Sequence, residues 1–372
     1  MGVALAPAVV WVFDQSRATI AAGRPVCGMS PPGEPSLLAG GYVVVDSPDA
    51  ARPRPALRRS CNSREAGNHV VRRGAGLYDV RLGKLGVDGG TVEVTAISDE
   101  PRICGAEGWG IAGNGTDLVA QVACADGSGA ARDSGFVLNF RQAQPGTGDL
   151  AYLRYDDQPG KLSIPEPNYS FNSAGSAVSV ERRGTGEYAV YLQDMQRSLE
   201  RKMPGVAKVT SLGPVPRACN PGAGSAWTSP RSHKSFLVLK VRCTDAAGVA
   251  TDTRFTVTYV VRLASRPGER TAGAQLRADQ AHARRYTPTS RYQYNSTGSS
   301  MTIERAGPGR YAVELTGFDG EDGMAQVSAF DGDASCAVAH SAGRLHDTTT
   351  VGVRCWQNGR PADAEFVLLH QP

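Results

Sequence analysis

The stretch YNSTGSSMTIERAGPGRYAVEL, from Tyr294 to Leu315, has two earlier versions in the same chain: CNSREAGNHVVRRGAGLYDVRL from Cys61 and FNSAGSAVSVERRGTGEYAVYL from Phe171. The register is the same in all three. Asn62 and Tyr78, Asn172 and Tyr188, and Asn295 and Tyr311 are each 16 residues apart, and Gly74, Gly184 and Gly307 each follow their Asn by 12. A spacing kept three times is a statement about architecture, and its period is too long for a stacked solenoid.

Working outward, each copy opens on a short apolar run: VVWVFDQ ending at Gln15, AYLRYDDQ ending at Gln158 and AQLRADQ ending at Gln280. Downstream come a V-x-V-like stretch (Val92/Val94, Val206/Val209, Val327/Ala329), a pair of cysteines, and a closing run: FVLNF from Phe136, FTVTY from Phe255 and FVLLH from Phe366. Inside a copy the apolar period is two, in short runs rich in Val, Thr, Tyr and Phe between Gly, Asp and Pro turns, which is the pattern of half-buried strands. The G-x-G before each Tyr then reads as a tight hairpin turn. A phosphate loop would need a helix after the glycines, and a strand pattern follows instead.

The expected fold is therefore all-β, with three tandem antiparallel β-sandwich domains, jelly-roll or immunoglobulin-like, of about eight strands each. Their expected limits are residues 1–140, 150–261 and 272–372, with a Pro-rich insertion at Ser16–Ser60 in the first copy alone. Linkers are expected at Arg141–Asp149 and Arg262–Thr271, where Pro, Gly and charge interrupt the alternation.

Composition narrows the function. The chain of 372 residues is 41% hydrophobic and 20% charged, enough apolar material to fold, and no apolar run approaches the length of about 18 residues that a membrane span needs. Forty basic residues against 36 acidic ones leave a net +4 spread along the chain, without the basic stripe and interleaved aromatics of a nucleic-acid binder. No cofactor motif is present.

Six of the eight cysteines form one pair per copy, Cys104/Cys124, Cys219/Cys243 and Cys336/Cys355. The shared placement favours disulfides over zinc, whose ligands cluster as in C-x-x-C. Each bridge is worth roughly 3 kcal/mol by loop closure. Cys27 and Cys61 remain and are expected to pair across most of the insertion. Four bridges imply an oxidising compartment, hence secretion or the periplasm. The N-terminal MGVALAPAVVWVF lacks a basic start and reads as an opening strand, not as an export signal.

Comparing the copies removes most catalytic candidates. Ser134 in ARDSGFVL resembles a hydrolase D-S-G, but the aligned segments ATDTRFTV and PADAEFVL replace the serine and keep the acid. Asp133, Asp252 and Asp363 are thus expected to cap the turn before the last strand. His69, His233, His282, His340, His346 and His370 share no column; His340 and His346, in one inter-cysteine loop, are the pair considered for ligand binding. Asp319, Glu321, Asp322, Asp331 and Asp333 are oxygen-rich turn residues considered for calcium. The inter-cysteine stretches diverge most, as recognition loops on a repeated scaffold do. Trp109 and Trp227 lie there, placed either to stack on a sugar or peptide or to plug the end of a sandwich.

Taken together, YQYNSTGSSMTIERAGPGRYAVEL, AQVSAF, the cysteine pair with VRCW, and ADAEFVLL resemble a tandem module common in secreted proteins of actinobacteria and other GC-rich bacteria. The likeness covers nearly the whole chain outside the insertion and linkers, and departs most where Cys61 replaces Phe171 and Tyr294. It brings no catalytic or ligand residues. The expectation is a secreted, non-catalytic binding or surface-interaction protein, engaging a glycan or a cell-surface protein through end loops. The competing classes are an extracellular hydrolase with its site in the insertion, and a stalk or assembly component. Non-reducing peptide mapping should return Cys27–Cys61 as a fourth bridge; a bridge joining two copies would overturn the shared covalent plan.

Overall fold

The computed structural model describes residues 37–49, 53, 59–144, 150–156, 162–196, 205–261, 273–318, 323–339, 344–345 and 348–371. The fold is all-β: the described residues contain no α-helix, and strands joined by turns and short irregular segments make up the chain, with a short 3-10 turn at Pro167–Tyr169. Both expected linkers fall mostly outside them, as do VVWVFDQ and Cys27; Cys61 is disulfide-bonded.

Every copy pairs its strands alike. A closing strand (Gly135–Ala143, Arg254–Val260 or Phe366–Gln371) lies between an opening strand and an axial strand, Thr91–Ile97, Val206–Leu212 or Met324–Ala329. The opening strands are Leu37–Val45, Leu150–Tyr155 and Ala274–Ala278, and in them Gly41, Ala151 and Ala274 face Asn62, Asn172 and Asn295. The first of these is a correction, because Leu37–Val45 lies inside the stretch expected to be an insertion. Its LLAGGYVVV hides behind two glycines, and one sits in a tight place: a Cβ on Gly41 would stand 2.9 Å from Leu85 Cδ1 and 3.2 Å from the Cys61 carbonyl.

The repeated sentence forms the second sheet of each copy. Its hairpins are Asn68–Gly74 with Leu77–Leu82, Val178–Gly184 with Glu187–Gln193, and Met301–Gly307 with Arg310–Thr316. The second glycine of each G-x-G has φ of +68°, +67° or +62°, the conformation a type II turn demands at that place, with Pro308 suited to the position before it. A Cβ there would lie within 2.4 Å of the carbonyl of Cys124, Cys243 or Cys355. Glycine is thus needed twice over, for its φ and for contact with the disulfide strand. Each cysteine faces its partner directly across an antiparallel pair with Cα atoms 4.1 Å apart, so three bridges join neighbouring strands. In the first copy the inter-cysteine stretch is itself paired as far as Ile111 and Leu118, where a loop was expected.

The remaining invariants are bolts between segments. Asn62, Asn172 and Asn295 each accept from the backbone N–H two residues on (2.8–2.9 Å) and donate to the carbonyl of Gly83, Gln193 or Thr316 (2.8–2.9 Å), closing the far end of the hairpin. The next residue, Ser63, Ser173 or Ser296, accepts from the backbone of the opening strand region. Asp133, Asp252 and Asp363 do more than cap a turn. Asp363 takes Arg305 in a fork (2.9 and 2.7 Å), the Gly309 N–H (2.9 Å) and the Tyr311 hydroxyl (3.2 Å), and the other two Asp residues repeat the set with Arg72, Gly76 and Tyr78 and with Arg182, Gly186 and Tyr188. The tyrosine in turn accepts from the backbone beside the acid and rests on the closing phenylalanine, 5.2 Å away for Tyr311 and Phe366. Partial burial pushes Asp133 up, but Arg72, Gly76 and Tyr78 outweigh it and hold it at about 2; Arg305 is the main cause holding Asp363 well below the usual range.

Sheets also cross between copies. Leu212 of the second axial strand pairs in parallel with Ala106 of the first copy, and Val338 of the third pairs in parallel with Ile97 of the first. Between the second and third copies, Asp331 N–H donates to the Pro221 carbonyl (2.9 Å), the Asn220 amide donates to Gly332 and Ala334, and Arg242 is paired with Asp333. Copy two thus meets copy one, copy one meets copy three, and copy three meets copy two.

Replacing Asp363 by Ala should lower unfolding free energy by about 3 kcal/mol, because an arginine, an amide and a phenol lose one ionic acceptor. Since these carboxyls sit below their ordinary value, their contribution is full above about pH 4 and fades as pH falls toward 2. Urea unfolding at pH 7 and pH 3 checks both; a D363A variant as stable as wild type at pH 7 would refute the anchoring role.

Candidate functional site

The structure brings few of the sequence candidates together. Ser134 is buried, and its hydroxyl donates to the Gly135 carbonyl at 2.9 Å. His340, His346, Asp319, Glu321 and Asp322 lie outside the described residues. Asp333 is engaged by Arg242, and no cluster of three metal-ligating side chains occurs among the described residues. His282 is exposed with Nδ1 3.1 Å from Asp363, while His370 is buried edge-on to Phe318, and burial lowers its pKa to about 4.

The two tryptophans part company. Trp109 lies within a strand, Arg102–Ile111, and packs at the junction of the first two copies. Its indole N–H donates to the Gly89 carbonyl (2.8 Å), its ring meets Tyr169 edge-on at 5.6 Å, and the Arg154 guanidinium lies 3.5 Å from the Tyr169 centroid and 5.5 Å from its own. These contacts leave the ring as joint material between copies.

Trp227 stands on the outer face of the second copy's hairpin sheet, in the edge strand Ser225–Thr228. At 44% exposure it is the most open Trp, Tyr or Phe among the described residues. Alternation along the strands decides who shares that face. Trp227 is opposite Phe236, Phe236 is opposite Gln193, and Tyr191 sits two residues before Gln193 on the same side. The three rings form a cluster with centroids 5.5–6.0 Å apart. Beside it the Tyr191 hydroxyl donates to Glu181 Oε2 (2.6 Å) and accepts from Arg183 (2.9 Å), whose guanidinium also pairs with Glu181. Burial, then the bond to Glu181, raises the Tyr191 pKa, so the hydroxyl stays protonated at neutral pH. Leu162, directly opposite Glu181, is 62% exposed at the far edge. Trp227 was visible in the sequence as a tryptophan in a divergent stretch. Its neighbours Tyr191 and Phe236 were not, because only strand register brings them beside it.

Comparison with protein-family models, with curated proteins and with solved structures finds no match. No helix among the described residues is long and apolar enough to cross a membrane.

A second polar cluster is structural. Counting back from Phe136, Phe255 and Phe366, which face Ala96, Ser211 and Ala329, places Glu93, Lys208 and Gln326 in one column of the axial strands. All three are buried, Lys208 at 1% exposure. The V-x-V alignment had missed this, since it matched Val94 with Ala329 where the register matches it with Val327. Lys208 Nζ donates to Thr95 Oγ1 (3.4 Å) in the first copy, Thr210 Oγ1 accepts from the Val94 N–H (3.0 Å), and Thr95 Oγ1 donates to Val327 O (3.4 Å) in the third. Glu93 is held by Asn139 (2.6 Å) and Arg141 (3.1 Å). With no opening to solvent, these groups tie copies together.

Burial lowers the Lys208 pKa to about 7, opposed by Glu93. The unfolded chain therefore holds this proton between pH 7 and about 10 while the folded one does not, so stability rises with pH across that window. Thermal unfolding should move upward from pH 7 to pH 9 in the wild type, and the slope should flatten in K208M; equal slopes would refute the burial of a titrating lysine.

Proposed function

We propose that the chain is a secreted, non-catalytic binding protein of three β-sandwich repeats, and that it engages cell-surface material through the outer face of the second repeat. The observation that carries this reading is Trp227, a large ring left open on a sheet face and propped by Phe236 and Tyr191. Rigid aromatic anchors of this kind dominate binding energetics, because they offer much area for little conformational entropy. Three disulfides suit an oxidising compartment, and the likeness of the repeat to the tandem module of secreted bacterial proteins points the same way. The invariant Asp, Arg and Tyr residues, which a catalytic reading would recruit first, are consumed by anchoring the hairpins. Recognition on a sheet face replaces the end loops that the sequence suggested.

Wild-type protein mixed with washed bacterial cell-wall fragments should sediment with them, W227A should sediment at least fivefold less, and V71S, on the exposed outer face of the first copy, should match the wild type. Equal sedimentation of W227A and wild type would overturn the proposal.

A further inference from the structure

We infer that the ligand of the Trp227 face is a neutral pyranoside glycan, laid across the strands with one sugar ring stacked on the indole. The inference rests on the reading above that this face is the recognition surface, and it adds the chemistry of what is recognised.

The first argument is size. A fully covered aromatic ring buries about 150–250 Å², and Trp227 is 44% exposed while Phe236 and Tyr191 are half-buried. The apolar area on offer is therefore on the order of 200 Å² in all, far below the roughly 800 Å² per partner of a stable protein interface. One flat ring with a small apolar surround suits a ligand whose own apolar face is one ring wide. The axial C–H bonds of a pyranose form such a face.

The second argument is the fringe. A sugar that stacks must also satisfy its equatorial hydroxyls, which need donors and acceptors in the plane around the ring. Here the Trp227 indole N–H has no partner among the described residues, and Lys240 on the same face is exposed and unpaired among them. Next to them lies the Tyr191–Glu181–Arg183 network, an acceptor and a donor already fixed by each other. Glu181 and Arg183 compensate each other, so beside the Tyr191 ring the fringe offers hydrogen bonds without net charge, as the hydroxyls of a neutral glycan require; the Lys240 ammonium lies four residues along its strand from Phe236.

The third argument is extent. From the Leu162 strand to the Trp227 strand the sheet order runs through the hairpin and the Ser235–Thr244 strand, four inter-strand steps or roughly 19 Å. Exposed Leu162 marks one end and Trp227 the other. A chain of several sugars fits this span, with the central rings over Tyr191 and its polar partners.

The site is also single. Tyr191 corresponds to Arg81 and Glu314, each three residues past its repeat tyrosine, and Phe236 corresponds to Thr348, which faces Thr316 as Phe236 faces Gln193. The other two faces carry no aromatic at these places, so one chain binds one glycan.

The test is titration calorimetry of the full chain with hexasaccharides of β-1,4-glucose, β-1,4-N-acetylglucosamine, β-1,4-xylose and α-1,4-glucose. The expected result is binding of at least one hexamer with a stoichiometry near one, weakened at least tenfold in W227A, kept within about threefold in W227F, and accompanied by loss of acrylamide quenching of Trp227. Circular dichroism and thermal unfolding unchanged in W227A exclude misfolding as the cause. If no hexamer binds while W227A still abolishes cell-wall sedimentation, the recognition face stands and the glycan inference is overturned. Should a hexamer bind equally well to W227A, the site assignment is overturned; cell-wall sedimentation independent of Trp227 overturns the underlying reading instead.

Discussion

A strand at the edge of a sheet presents a row of unsatisfied amides and carbonyls, and the three copies are arranged so that their edges meet one another. Leu212 lies against Ala106, Val338 against Ile97, and Asp331 against Pro221. Everything central depends on this closure. It buries the axial strands on every side, which is why TVEVTAI, VAKVTSL and MAQVSA contain no exposed residue. It also draws polar groups inside, since strand edges that do not pair directly must be met by side chains such as Thr210 and Thr95.

The Glu93, Lys208 and Gln326 column shows how three copies of one sequence cease to be interchangeable. An acid, a base and an amide occupy equivalent places, so each interface carries different charges. Burial disfavours the charged form of Lys208 and Glu93 favours it, so the lysine is tuned to this neighbour. Divergence at this column makes the three interfaces chemically different, whereas divergence on the outer faces leaves the scaffold untouched. The second copy could acquire Tyr191, Phe236 and Trp227 because those positions point away from the core. The anchors underneath, Asp252 with Arg182, Gly186 and Tyr188, are the same as in its neighbours.

Local chemistry was legible in the sequence wherever one residue type has one backbone use. The G-x-G turn and the facing cysteines were readable because positive φ and a covalent pair leave few substitutes. The opening strand of the first copy was not, since Gly40 and Gly41 dilute the alternating pattern, and the crowding of Gly41 by Leu85 and the Cys61 carbonyl is visible only in the fold. Trp109 was read as a loop residue because its strand is rich in glycine and its partners, Gly89, Arg154 and Tyr169, are far away in the chain.

By itself, then, the sequence determined a repeated all-β unit, its hairpin, its three bridges and the acid that precedes each closing strand. These follow from spacing and from steric rules that act within a few residues. Tertiary structure alone decided that the copies share sheets, that Glu93, Lys208 and Gln326 are one buried column, and that Trp227 has Tyr191 and Phe236 as neighbours. Those facts depend on strand register, and a shift of one residue would turn each of these side chains to the opposite face.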